Sequence, residues 1–191
     1  LFSLNKVISR IQLLYPLPET SFNLLTGLLE KVELGKGHIL FQEGRIKHDI
    51  YFIEKGIARA YCNQGDTELT FWFGMEGDFI FSYNSYIHNR PGYETVELLE
   101  DAVLYKTTTP ALLQLFLTDN ALANWGRKLA EQELVKTEER FISRQFKTAA
   151  ERYQELLEKT PELLQRVQLS HIASYLGVTQ VTLSRIRAER R

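Results

Sequence analysis

The chain has 191 residues, 44% of them hydrophobic, a formal net charge of −1 and a single cysteine. That length suits one large domain or two small ones with ordinary cores. The lone Cys62 excludes an internal disulfide framework and any cysteine-built metal cage. No apolar run reaches the length of a membrane span and the first residues show no secretory pattern, so a cytoplasmic protein without membrane partners is expected.

Val7, Ile8, Ile11 and Leu14 recur at helical spacing and predict a helix over Asn5–Leu14. Pro16 and Pro18 interrupt it, and Ser21 starts a second helical stretch carrying Leu24, Leu25, Leu28 and Leu29. From Val32 the texture changes to short segments rich in Ile, Tyr, Phe and Thr, separated by glycine turns. These are His38–Gln42, Ile50–Ile53, Ile57–Cys62 and Thr67–Phe73, then Tyr93–Leu99 and Ala102–Lys106 after a longer loop. Strands of this length at roughly ten-residue spacing predict an antiparallel sandwich or barrel.

The loop Phe81–Gly92 interrupts that rhythm and is where a ligand would be gripped. Most of the aromatic residues around it (Phe71, Trp72, Phe73, Phe79, Phe81, Tyr83, Tyr86, Tyr93) are expected in the barrel core. Phe81, Ser82, Tyr83, Tyr86, Arg90 and Tyr93 form the candidate effector pocket. Arg90 suits an anionic effector or simply solvent.

From Pro110 the helical period returns, with Leu112, Leu113, Leu115 and Phe116 in a short helix, and a long helix is predicted over Asp119–Arg144. Leu122, Trp125, Leu129, Gln132 and Lys136 follow a heptad-like seam along it, which would pair two chains. The alternative is a helix packed on its own domain. Thr148–Leu157 reads as an amphipathic helix with Tyr153, Leu156 and Leu157 inward, ended by Thr160-Pro161.

The C-terminal stretch reads as a helix-turn-helix. Ala173 supplies the small residue where two helices cross, and Gly177 the turn residue that accepts positive φ. Ile172, Leu176, Val178, Leu183 and Ile186 form the shared core, and Thr179 caps the second helix. Its opposite face carries Gln180, Val181, Ser184, Arg185 and Ala188. Gln can pair with an adenine edge and Arg with a guanine edge. Residues 145–191 carry a net +3 and leave −4 on the other 144; Arg185, Arg187, Arg190 and Arg191 crowd the last seven positions. That asymmetry fits a DNA-facing end on an acidic body. The DNA-contact set is therefore Thr179, Gln180, Val181, Ser184, Arg185, Arg187, Arg190 and Arg191. An ordinary helical hairpin with a polar outer face is the plainer reading.

Metal catalysis on a β-roll would need His-x-His spacing with further ligands, and His38, His48, His88 and His171 lack it. Cys62 reads as a packed thiol, and no glycine-rich phosphate loop is present. Neither an enzyme nor a cofactor is indicated.

The order of parts resembles the cyclic-AMP receptor/fumarate–nitrate regulator family. The motifs that carry it are Gly37, Glu43-Gly44, Asp49-Ile-Tyr-Phe-Ile-Glu-Lys-Gly56, Glu76-Gly-Asp-Phe-Ile80 and the helix-turn-helix. The resemblance implies an α+β fold in three parts: a β-roll with N-terminal helices (1–118), a dimerisation helix (119–144) and a DNA-binding domain (145–191). It also implies a homodimeric transcription regulator of double-stranded DNA, with RNA polymerase as a partner and an unknown small effector in the β-roll. A ligand-sensing β-roll acting through a protein partner is the alternative.

Two departures stand out. Where cyclic-AMP binders carry Gly-Glu for the ribose this chain has Phe81-Ser82, and Tyr93-Glu94 aligns with the Arg and small residue that hold the phosphate. In the recognition helix Gln180 and Val181 replace the family's usual Arg-Glu while Arg185 is retained, which implies a different base sequence.

Overall fold

The computed structural model of the chain describes residues 6–65 and 67–189. Its elements run α1 (Lys6–Leu14), α2 (Glu19–Gly27), β1 (Glu30–Leu34), β2 (Ile39–Phe41), β3 (Asp49–Lys55), β4 (Ala58–Gln64) and β5 (Thr67–Gly74). They continue with β6 (Phe79–Ile80), α3 (Tyr83–His88), β7 (Thr95–Leu98), β8 (Ala102–Thr108), α4 (Thr109–Thr118) and α5 (Asn120–Phe146). Last come α6 (Ala149–Lys159), α7 (Pro161–Arg166), α8 (Leu169–Leu176) and α9 (Gln180–Ala188). Among the described residues no helix is long and apolar enough to cross a membrane.

The strands form two four-stranded sheets, ordered β1-β8-β3-β6 and β2-β7-β4-β5. This is the expected α+β β-roll. The antiparallel register sets Glu30 opposite Lys106 and Tyr51 opposite Lys106 on either side of β8, and shifts at Ile53–Lys55 bend β3. Gly56 turns β3 into β4 at φ +116, and a Cβ there would lie 2.7 Å from that of Ala102. Only glycine fits that close approach.

Residues form two compact units, 1–60 with 73–132 and 61–72 with 133–191. The core of the first joins Val7, Ile11 and Leu14 of α1 to Leu25, Ile50, Phe52, Phe79, Leu112, Leu122 and Trp125. Phe79 meets Phe52 and Trp125 edge-on, with centroids 4.7 and 6.0 Å away. Gly126 lets α4 close on α5, since a Cβ there would lie 2.6 Å from Phe116 Cζ.

Asp119 caps α5. Its Oδ1 accepts from the backbone N–H groups of Ala121 and Leu122 at 2.8 and 3.0 Å, and Ser21 Oγ donates to Oδ2 at 2.7 Å. The Ser21 hydroxyl and these amides hold the Asp119 carboxyl below its ordinary range.

From Leu122 to Gln132 the heptad-like seam is a face that the first half of α5 lays on the first unit. Leu122 and Trp125 are fully buried in the core, Leu129 packs against it, and Gln132 Oε1 accepts from Arg10 Nη2 at 2.8 Å. Lys136 pairs with Glu133 on the same helix. These side chains are therefore taken up within one chain, because apolar residues serve an intramolecular core as readily as a coiled coil. The large apolar side chains left exposed on α5 are Leu134, Val135, Phe141, Ile142 and Phe146.

Candidate DNA-reading helix and effector pocket

In the second unit, Ile172, Ala173 and Leu176 of α8 and Leu183 of α9 are buried together with Tyr153, Leu163 and Val167. Gly177 ends α8 at φ 67, with its N–H and that of Val178 closing onto Ser174 and Ala173 carbonyls. Thr179 Oγ1 accepts from the N–H of Thr182 at 3.2 Å and starts α9. The turn therefore has the chemistry its residues foretell.

Gln180, Val181, Ser184, Arg185 and Arg187 are all exposed on α9, Val181 to 62%. Ser184 Oγ donates back to the Gln180 carbonyl at 3.0 Å, which occupies its proton and leaves its lone pairs outward. Arg190 and Arg191 lie outside the described residues.

Sequence reading passed over what braces this pair of helices. Arg152 of α6 donates through Nη2 to the Leu176 carbonyl at 2.5 Å, and through Nη1 to the Lys147 and Arg144 carbonyls at 2.7 and 3.3 Å. A cation at the C-terminal end of α8 also opposes the helix dipole. Ser174 is a second tie: its Oγ donates to the Glu68 carbonyl at 2.7 Å and accepts from the Thr70 N–H at 2.9 Å. Cys62 is half-buried with its sulfur 3.9 Å from the Leu69 carbonyl.

In the first unit, the expected Phe81–Gly92 loop contains α3. Its last turn is closed by Asn89 in the left-handed region at φ 50. Ser85 Oγ, buried, donates to the Arg90 carbonyl at 3.1 Å and accepts from the Lys47 N–H at 3.2 Å. Gly92 exchanges backbone bonds with Gly44 and Arg45, at 2.9 and 3.1 Å. The fold thus draws α3, the turn after β2 and the approach to β7 around one place.

Phe81 stacks against Tyr83 and Tyr86 there, centroids 4.5 and 5.4 Å apart. Burial raises the Tyr86 phenol above its ordinary range. Ser82 is buried, Tyr83 and Tyr93 are about half exposed, and Arg90 is exposed, as a solvated loop charge is. Glu94, which aligns with the small residue of the family's phosphate-holding pair, is buried directly ahead of β7.

Residues 31–119 match the cyclic nucleotide-binding domain family. No curated relative matches the chain by sequence. Among solved structures, FixK2 from Bradyrhizobium japonicum superposes with a TM-score of 0.73 at 21% identity, covering 84% of this chain and 83% of that one. The c-di-GMP-responsive global regulator CLP from Xanthomonas campestris gives 0.71 at 16%, over 90% and 91%. A transcriptional regulator of the CRP/FNR family from Eubacterium rectale gives 0.72 at 16%, over 92% and 86%. The 31–119 segment is thus similar to a cyclic nucleotide-binding domain. The chain as a whole carries the fold of the CRP/FNR transcription regulators.

A cyclic nucleotide itself is a poor fit to the residues present. Its phosphate needs a cation or several free donors, whereas Glu94 is a buried acceptor and the buried Ser85 hydroxyl already donates to the Arg90 carbonyl.

Proposed function

We propose that this chain is a homodimeric, DNA-binding transcription regulator that reads a duplex through α9. The observation that carries the reading is the capped, glycine-turned α8–α9 pair with Gln180, Val181, Ser184, Arg185 and Arg187 exposed on one short helix. Such a helix fits the major groove, and its Gln and Arg match adenine and guanine edges. On this reading the protein is a regulator and not an enzyme, works in the cytoplasm where its DNA lies, and has RNA polymerase as its downstream partner.

Dimerisation rests on α5. Leu134 and Phe141, and likewise Val135 and Ile142, are spaced seven apart and stand exposed. A second copy covering them gives a paired helix of heptad period, and two copies set two α9 helices on successive turns of DNA. The effector pocket of Phe81, Ser82, Tyr83, Tyr86 and Tyr93 takes a ligand other than cyclic AMP.

Selection of duplexes from a random pool tests the reading. The expected result is enrichment of a two-fold symmetric site with half-sites ~34 Å apart or a multiple of it. Absence of any enriched sequence, with capture of a protein partner by the β-roll instead, favours the ligand-sensing module.

A further inference from the structure

We infer that the β-roll pocket takes a small organic cation, an ammonium or amidinium, held by Glu94 and Ser82. The inference rests on the pocket being an effector site and names the chemistry of its ligand.

Glu94 is only 6% exposed and Ser82 only 2%. Both carboxylate oxygens and the hydroxyl are buried without a hydrogen-bond partner among the described residues. Three residues further along, Glu97 shows the usual solution for an acid in this sheet, pairing with the buried Arg59 at 2.8 Å. Glu94 has no such counterpart. An unpaired buried carboxylate is costly, and native structures seldom keep one without a use.

The two groups converge. A Cβ on Gly92 would lie 2.7 Å from Ser82 Oγ and 2.9 Å from Glu94 Oε1, so both oxygens lie against the Gly92 backbone and close to each other. A carboxylate only accepts, and a serine hydroxyl both donates and accepts. A partner must therefore bring hydrogen-bond donors, and a positively charged N–H group satisfies the acid best. Phe81, the residue before Ser82, packs on Tyr83 and Tyr86 and against the first unit's core. Arg90 is exposed, with its backbone carbonyl held by Ser85.

The test uses the full chain and two probes, benzylammonium and benzamidinium, with benzoate as the anionic control. Calorimetry and thermal denaturation should show at least one cation binding and raising Tm, and benzoate doing neither. Glu94→Gln should weaken that cation at least ~10-fold, the loss of a charge-assisted bond. Without ligand, Glu94→Gln should also raise Tm, because it removes an unpaired buried charge. Binding of neither cation, equal binding to Glu94→Gln, or a lower Tm for unliganded Glu94→Gln each overturns the assignment. Duplex binding measured on the same preparation separates the two readings: if it persists while the cations fail, only the ligand assignment falls.

Discussion

The indole N–H of Trp125 donates to the Ile11 carbonyl at 3.1 Å, across 114 residues of sequence. The bond fastens α5 to α1 inside the first unit's core, and it fixes which face of α5 is spent on the chain itself. Trp125→Phe keeps most of the ring volume but leaves a buried carbonyl unpaired. It should cost about 1–3 kcal/mol in urea denaturation. A change below ~0.5 kcal/mol means the carbonyl finds another partner.

The opposite face of α5 carries the dimer prediction. Leu134→Glu combined with Phe141→Glu should convert a dimer to a monomer in sedimentation at micromolar concentration, while leaving monomer stability nearly unchanged, since both side chains are exposed. A native chain that sediments as a monomer, or a double variant that remains dimeric, contradicts the role given to this face.

Arg152 is expected to matter for stability rather than for contact with DNA. Arg152→Met retains the aliphatic stem but strips three carbonyls, those of Arg144, Lys147 and Leu176, of their donor. The cost should be about 1–3 kcal/mol by chemical denaturation. Arg187→Met, at an exposed position, should change stability by less than ~0.5 kcal/mol.

Much of this was legible beforehand. The helix-turn-helix could be read because its small residue, glycine, cap and apolar positions are each fixed by local chemistry. The longer strands could be read because glycine turns bound runs of β-branched and aromatic residues. Other elements escaped for physical reasons. β1 is Glu-Lys-Val-Glu-Leu, an edge strand too charged to show an apolar alternation, and β6 has only two residues. α7 hid behind Pro161, which serves as its first residue instead of a breaker. The seam on α5 left two readings open, because periodicity reveals an apolar face without saying what covers it. Arg152 drew no notice because its importance lies in a contact remote in sequence, that with the Leu176 carbonyl.

Cyclic AMP should not bind. An anionic phosphate would have to approach a buried carboxylate, and a missing guanidinium contact costs about 2–5 kcal/mol. Calorimetry giving a dissociation constant of ~1 μM or tighter would contradict this.

The central claim is that α9 reads bases, and Arg185 tests it most directly. Binding of native protein and of Arg185→Ala should be compared on a selected duplex and on its scrambled version, at several salt concentrations. The variant should lose ~1–3 kcal/mol per half-site on the selected duplex, with preference relaxed at one base pair and little change on the scrambled one. Equal weakening on both duplexes would show that Arg185 only meets phosphates, and the base-reading role of α9 would fail with it.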